Sequence, residues 1–242
     1  MSFLYDKKTN EPFRISRSKI DLFLKCPRCF YLDRVLGISR PSMPGFSLNN
    51  AVDNLLKNEF DYYRERGEAH PLMKQYKIDA VPFKTDKITE WRDALHRGAK
   101  VIHKPTNLLI TGGIDDIWEN KNEELMIVDY KATSTDKEIS LDDEYKESYK
   151  KQVEIYQWIY RNLKYKVSDT AYFVYCNGIK DKEKLDNKLE FYVSIISYIG
   201  NAAWVEPTLF EIKRTLDLGS APEPSSDCEH CNYVLKINNI VK

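Results

Sequence analysis

An α/β domain with a mixed central sheet and a helical N-terminal part is what this chain predicts, and three observations carry that reading. Apolar residues recur at helical spacing over much of 18–98, residues 99–133 switch to short β-rich runs joined by polar turns, and residues 143–216 read as helix, strand, strand, helix. A chain of 242 residues can bury one sizeable core, so a single domain is expected. It divides into a helical part over 1–98, a sheet-bearing core over 99–217 and a Cys-bearing tail over 218–242 that packs on the N-terminal helix.

The elements follow in order. Ser18 and Asp21 stand three apart as a capping box before Ile20, Phe23 and Leu24, so a helix bent or broken at Pro27 should run towards Gly37. After the Pro-rich turn RPSMPGF, Leu48, Ala51, Val52, Leu55, Leu56, Phe60 and Tyr63 make a long helical stripe stopped by Gly67. TDKITEWRDALHRG reads as a shorter helix through Ile88, Trp91 and Leu95, ending near Gly98. AKVIHKP, NLLITGGIDDIW and ELMIVDYKAT then form a β-meander, with ENKNE as a hairpin loop. Tyr149, Val153, Tyr156 and Tyr160 mark the next helix, TAYFVYCNG and KLEFYVSIISYI two strands, and residues 205–216 a last helix before a loop-like tail. There is no internal repeat and no G-x-x-x-x-G-K-S/T phosphate loop, which argues against a built-in P-loop ATP motor.

Composition narrows the function classes. Lys plus Arg equals Asp plus Glu at 37 each, so a nucleic-acid partner would need a local groove and not the field of the whole protein. No apolar run approaches the ~20 residues that span a bilayer. MSFLYDKKTNEPF has neither a secretory h-region nor a transit-peptide pattern, so the cytoplasm is the expected compartment, without a membrane partner. Five cysteines in a reducing compartment are unsuited to a disulfide framework.

Chemistry gathers in GGIDDIWENKNEELMIVDYKATS, residues 112–134. Leu125 to Val128 are apolar on both faces, as in a central strand, and Asp129 and Lys131 then project from one face. A turn near Asn122 returns the preceding strand alongside and sets Asp115 close to Asp129. Two carboxylates beside an ammonium suit a hard cation such as Mg²⁺, with the lysine orienting a water. Metal-assisted phosphodiester hydrolysis needs these parts: a Lewis acid for the phosphate and water, and a cation for charge developing in the transition state. An isolated D-x-K could equally be a solvated ion pair worth at most about 1 kcal/mol. Here Gly112 stands three before Asp115, and Gln152 and Tyr156 stand four apart on one downstream helical face.

The ordered set G-x-x-D, D-Y-K, Q-x-x-x-Y resembles the RecB-like branch of the PD-(D/E)XK nuclease superfamily. The resemblance implies a restriction-endonuclease-like core, a mixed sheet flanked by helices. It implies Asp115, Asp129 and the Tyr130 carbonyl as ligands for Mg²⁺ or Mn²⁺, Lys131 as the catalytic lysine, and Gln152 and Tyr156 as supports of the site or contacts to DNA. Asp116 is a rival to Asp115, but alignment on Gly112 favours Asp115, and Asp116 should face the other side of its strand. Many such nucleases carry an upstream histidine ligand in a G-x-x-x-H pattern. Here Asn49 and Asp53 stand in those places, and Asp53 is either an oxygen ligand or a surface acid beside the apolar stripe.

Cys26 with Cys29 and Cys228 with Cys231 form two C-x-x-C pairs, enough for a tetrahedral Zn²⁺ or a 4Fe-4S cluster. Spacing does not choose between them, and four unligated thiols are a third reading. AddB-type and CRISPR-associated adaptation nucleases resemble this pattern, with one N-terminal and three C-terminal cysteines around a 4Fe-4S cluster, which the resemblance therefore favours. The expected last cysteine is replaced near Ile237, with Cys29 as its substitute, and this two-plus-two arrangement raises Zn²⁺. Either metal would close a loop of about 200 residues. Cys176 reads as a small buried hydrophobe.

The expected activity is a metal-dependent deoxyribonuclease, an exonuclease on single-stranded or end-exposed DNA. Its expected setting is DNA repair and recombination or phage- and CRISPR-related processing, with a helicase or a CRISPR or phage protein as partner. The alternatives are a non-catalytic nucleic-acid-binding or assembly module of the same fold and a zinc-stapled structural protein.

Overall fold

The computed structural model describes residues 4–42, 45–143 and 146–240. Residues 1–3 of the N-terminal segment, Met43 and Pro44 of the Pro-rich turn, and Glu144 and Tyr145 at the expected start of the third long helix lie outside the described residues. The chain forms two compact units: residues 1–44, 100–111 and 203–242 make the first, and residues 45–99 and 112–202 the second. No helix among the described residues is long and apolar enough to cross a membrane.

The first unit holds a three-stranded sheet in the order β1 (Phe13–Ser16), β4 (Leu108–Gly112), β3 (Ala99–His103), with β1 parallel to β4. Strand β1 and the short β2 below carry too few residues to show a period, and both escape the sequence reading. Because the chain enters α1 (Arg17–Lys25) directly from β1, Ser16 is the N-cap and the expected Ser18–Asp21 capping box does not form; the Ser16 and Ser18 hydroxyls bond each other at 2.9 Å. The helix breaks where Pro27 predicts. Cys26 is extended and Pro27 opens α2 (Pro27–Arg34) at the position where its missing N–H costs nothing. Helix α7 (Val205–Leu216) falls on the expected residues, but the tail is not all loop, since α8 (Glu229–Ile240) follows Cys228. None of its described residues is buried, so it lacks the buried stripe that would have marked it as a helix.

The second unit carries the five-stranded mixed sheet in the order β2 (Ala80–Pro82), β5 (Asp116–Asn120), β6 (Leu125–Thr133), β7 (Thr170–Gly178), β8 (Phe191–Ile199). Strand β6 is central, antiparallel to β5 and parallel to β7. The expected single meander is thus divided: NLLITGGIDDIW is not one strand but two, β4 and β5, belonging to different sheets and parted at Gly113–Asp115. The β5–β6 hairpin turns where expected, with Asn120 Oδ1 accepting from the N–H groups of Asn122 and Glu124.

Side-chain alternation along β6 assigns its two faces. Met126, Val128 and Tyr130 join Trp118, Val174 and Ile195 in a core closed by Val52, Leu56 and Phe60 of α3 (Ser47–Arg66). The buried stripe of α3 is Val52, Leu56, Phe60 and Arg64 at strict i, i+4 spacing, while Leu48 and Leu55 of the expected stripe are 60% and 67% exposed. Gly67, at φ 66°, ends the helix as its sequence predicts. Helix α4 (Pro71–Gln75) adds Met73 to this core. Helix α5 is shorter than expected, Ile88–Arg92: Ile88 and Trp91 are buried, while Leu95 of the expected stripe is 79% exposed. Helix α6 (Glu147–Asn162) packs against β6 and buries Val153, Ile155, Tyr156, Ile159 and Tyr160.

Within the second unit, Gly112 lies against Tyr156 of α6. A Cβ there would lie 2.5 Å from Cε1 and 3.0 Å from Cδ1 of Tyr156, distances that real Cβ atoms do not tolerate. Gly112→Ala should therefore lower stability by about 1–3 kcal/mol through overpacking, read as a lower urea midpoint. An unchanged midpoint would show that Tyr156 tolerates a side chain at position 112.

Candidate active site

The site grows from the place where the β5–β6 ladder stops. The last Cα pair is Asp116 with Val128, so Asp115 steps off the strand beside the still extended Asp129–Thr133 segment. The Tyr130 backbone N–H, left without a β5 partner, donates to Asp115 Oδ2 at 2.9 Å. This bond sets the Asp115 carboxylate next to Asp129. Asp129 is 1% exposed; its Oδ1 accepts from Gln152 Nε2 at 2.7 Å, and its Oδ2 is ion-paired with the Lys131 ammonium. Lys131 in turn lies over the Tyr149 ring, 4.4 Å from its centroid.

All of these groups belong to the second unit. The expected Asp115, Asp129, Lys131 and Gln152 come together, and Tyr156 supports the turn from below, donating from its hydroxyl to the Gly113 carbonyl at 2.6 Å. Gly113 itself has no room for a side chain, since a Cβ would meet Ala94 Cβ at 2.5 Å. Tyr130 contributes its N–H to Asp115, and its ring joins the core on the opposite face.

Burial and the neighbouring Asp129 charge raise the Asp115 carboxyl to about 6, more than Lys131, Lys57 and the Tyr130 N–H offset. Burial alone would lower Lys131, yet Asp129 and Asp115 overcome it and its net shift is upward, so the ammonium stays charged. The Asp115 side chain keeps 24% of its surface open to solvent. Two crowded carboxylates, one with an elevated pKa and a face towards water, are the donor set a hard divalent cation needs, and such an ion would relieve their repulsion.

Asp53 does not complete a three-carboxylate cluster. Among the described residues, the only group of three or more His, Cys, Asp or Glu ligand atoms within mutual reach is the four thiols. Asp53 is tied instead to Lys57 at 2.6 Å, and Lys57 Nζ stands 3.7 Å from Asp115 Oδ1. Sequence reasoning missed Lys57; its i, i+4 spacing from Asp53 on the same helix was the available signal.

Also missed was the network behind the site. Asp116, fully buried, faces away from Asp129 as expected and is bonded by Arg64, by Arg92 Nη2 at 3.3 Å and by the Tyr130 hydroxyl at 2.7 Å. Arg92 and Arg64 both reach Asp61, and Arg92 Nε donates to the Asp115 carbonyl at 2.9 Å. Burial would raise the Asp61 carboxyl, but the two guanidiniums hold it below the usual carboxylate range. The Tyr130 phenol, buried against Asp116, is pushed well above its usual value and remains a donor.

In the first unit, Cys26, Cys29, Cys228 and Cys231 bring their sulfurs within 4.8 Å of one another, close enough to share a metal. Three of them are buried and none is in a disulfide. Despite burial, backbone N–H groups of Cys29 and Ser225 bring the Cys26 thiol down to about 6. Cys176 is buried apart from them among apolar side chains, and burial pushes its thiol up to about 11.

No curated protein matches the chain in sequence. A solved structure described as "Crystal structure of SSO0001" aligns over 94% of this chain and 86% of its own, at 15% identity and a TM-score of 0.40. The family model of the PD-(D/E)XK nuclease superfamily matches residues 46–234, most of the chain and every residue of the carboxylate site. This protein belongs to the PD-(D/E)XK nuclease superfamily.

Proposed function

We propose that this protein is a Mg²⁺- or Mn²⁺-dependent deoxyribonuclease of the RecB-like branch, acting as an exonuclease on single-stranded or end-exposed DNA. The observation that carries the reading is the convergence of Asp115, Asp129 and Lys131 where the β5–β6 ladder ends. Asp115, Asp129 and the Tyr130 carbonyl would hold the ion. Asp53 is proposed as a further oxygen ligand from α3, in competition with Lys57 for its carboxylate. When bound, the ion supplies Lewis-acid polarisation of the phosphate and a more acidic attacking water.

The chain's own groups do the rest. Gln152 fixes Asp129 Oδ1, leaving the ammonium of Lys131 against the other oxygen. Lys131, kept charged by the two acids, is placed to orient a water and to stabilise negative charge as it develops on the phosphate. Tyr156 and Arg92 hold the Gly113 and Asp115 carbonyls, so the Asp115 carboxylate is presented by a braced turn. From Lys131 a cleft of about 170 Å³ continues past Thr133, Lys137, Lys146, Tyr149 and Tyr175. Its ammonium groups and rings, partly offset by Glu138 and by Asp143, which pairs with Lys146 at 2.9 Å, suit a phosphate and a sugar or part of a base, which supports a single strand or frayed end as substrate. Placement in repair and recombination or in phage- and CRISPR-related processing, with a helicase or another such protein as partner, rests on the sequence resemblance.

Two outcomes follow from this reading. Because the folded-state pKa of Asp115 lies above the ordinary carboxylate value, its contribution to stability is present below about pH 4 and is lost as pH rises through about 6. Asp115→Asn should therefore stabilise the metal-free protein at pH 7 by about 1–2 kcal/mol in urea unfolding, and abolish the stabilisation that Mg²⁺ gives the parent chain. A variant less stable than the parent at pH 7 would contradict the crowding. Lys131→Ala should keep the fold and lose at least about 100-fold in cleavage of end-labelled single-stranded DNA with Mg²⁺ or Mn²⁺. Undiminished cleavage would sink the assigned mechanism, and DNA binding without cleavage by the parent chain would favour the non-catalytic module.

A further inference from the structure

We propose that the four-thiol site of the first unit is dimensioned for one tetrahedral zinc ion and not for the 4Fe-4S cluster that the sequence resemblance implies, and that Arg40 is an outer-sphere partner of its sulfurs. The separations decide the matter. Cys26 Sγ and Cys231 Sγ are 3.9 Å apart, Cys29 and Cys228 3.7 Å, and Cys29 and Cys231 3.5 Å. A tetrahedron with zinc–sulfur bonds of ~2.3 Å has an edge of about 3.8 Å. In a four-iron cluster each thiolate ends on a different iron at a corner of a cube, which sets the sulfurs roughly 6 Å apart. All four sulfurs here lie within 4.8 Å of one another, inside that requirement.

Local structure resists the expansion a cluster would demand. Cys26 is anchored on both sides, its N–H donating to the Leu22 carbonyl at 2.9 Å and its carbonyl accepting from Phe30 at 3.1 Å. Cys228 is held likewise by the Ser225 carbonyl at 3.1 Å and the Asn232 N–H at 2.9 Å. Each C-x-x-C pair is therefore part of a helix start, at α2 and α8, and the backbone N–H groups of Cys29 and Ser225 face the Cys26 sulfur. Leu22 packs against the thiols, filling space that inorganic sulfide would need.

The charge of the site is met by a neighbour. Four thiolates around one divalent ion leave an excess of two negative charges, and Arg40 Nη2 lies 3.2 Å from Cys228 Sγ. Its guanidinium offsets part of that excess and fixes the orientation of the sulfur. The site so read is a redox-inert staple between segments about 200 residues apart in sequence.

The test is metal analysis of the full chain purified from medium replete in iron and zinc, followed by Co²⁺ titration of the metal-free chain. One zinc per chain, a colourless protein and the intense visible bands of tetrathiolate Co²⁺ are expected. Arg40→Gln should keep that stoichiometry and release zinc to a chelator roughly 10-fold faster. Four irons with four acid-labile sulfides per chain and a broad brown absorbance would overturn the proposal, as would a chain that binds neither zinc nor Co²⁺. An Arg40→Gln release rate equal to the parent's would remove Arg40 from it. None of these readouts depends on cleavage of DNA, so the proposal stands or falls apart from the nuclease reading.

Discussion

Two carboxylates are held side by side against their own repulsion, and the rest of the second unit is arranged to keep them there. Asp115 and Asp129 would separate if either strand were free to relax. They are fixed by backbone: β6 runs on past the end of its ladder with β5, and the freed Tyr130 N–H captures Asp115. Even with that bond in place, burial and the Asp129 charge leave the Asp115 carboxyl raised to about 6, so the pair is a net cost to the fold at neutral pH. Burial elsewhere offsets that cost, in the Phe60–Trp118–Tyr130 core under the same strands. A divalent ion held there, as proposed, would turn the repulsion into attraction.

Consecutive aspartates do opposite work because Asp116 opens β5 with its side chain turned into the core, whereas Asp115 steps off the strand towards Asp129. Asp115 meets Asp129 and stays partly open. Asp116 turns inward to two arginines and a phenol and is fully buried. A buried acid of this kind costs several kcal/mol in desolvation and is tolerable only when its oxygens are satisfied. Arg64 and Arg92 do that, and Arg92 also donates to the Asp115 carbonyl, so the structural acid braces the backbone that presents the other one. Tyr130 links both sides, its backbone N–H to Asp115 and its hydroxyl to Asp116.

The legible parts of this arrangement were those written in local pattern. The face alternation of β6 and the turn at Asn122 set Asp115, Asp129 and Lys131 together from sequence, while Gln152, on a separate helix, joined them only through what the family resemblance implies. Gly67, Pro27 and the Asn122 turn were equally legible, because each acts through its own backbone. What escaped was long-range. Arg64 and Arg92 look like ordinary surface arginines on amphipathic helices until the fold buries them against Asp116. The split of NLLITGGIDDIW into strands of two sheets depends on the packing of Ala94 and Tyr156 against Gly113 and Gly112, which no window of sequence contains. Helix α8 escaped for the converse reason, having no buried stripe to reveal it.

The two clusters differ in the chemistry of their donors, and that difference sorts metals without either site needing high selectivity. Asp115 and Asp129 offer hard oxygens with a side open to solvent, which suits an ion that keeps waters and exchanges them. The four cysteines offer soft sulfur, three of them buried, at separations that close a tetrahedron and leave no open position. Mg²⁺ gains little from thiolates, and a closed tetrathiolate shell has no place for a reacting water. The sulfur site is thereby suited to holding structure and, on the proposed reading, the oxygen site to reaction.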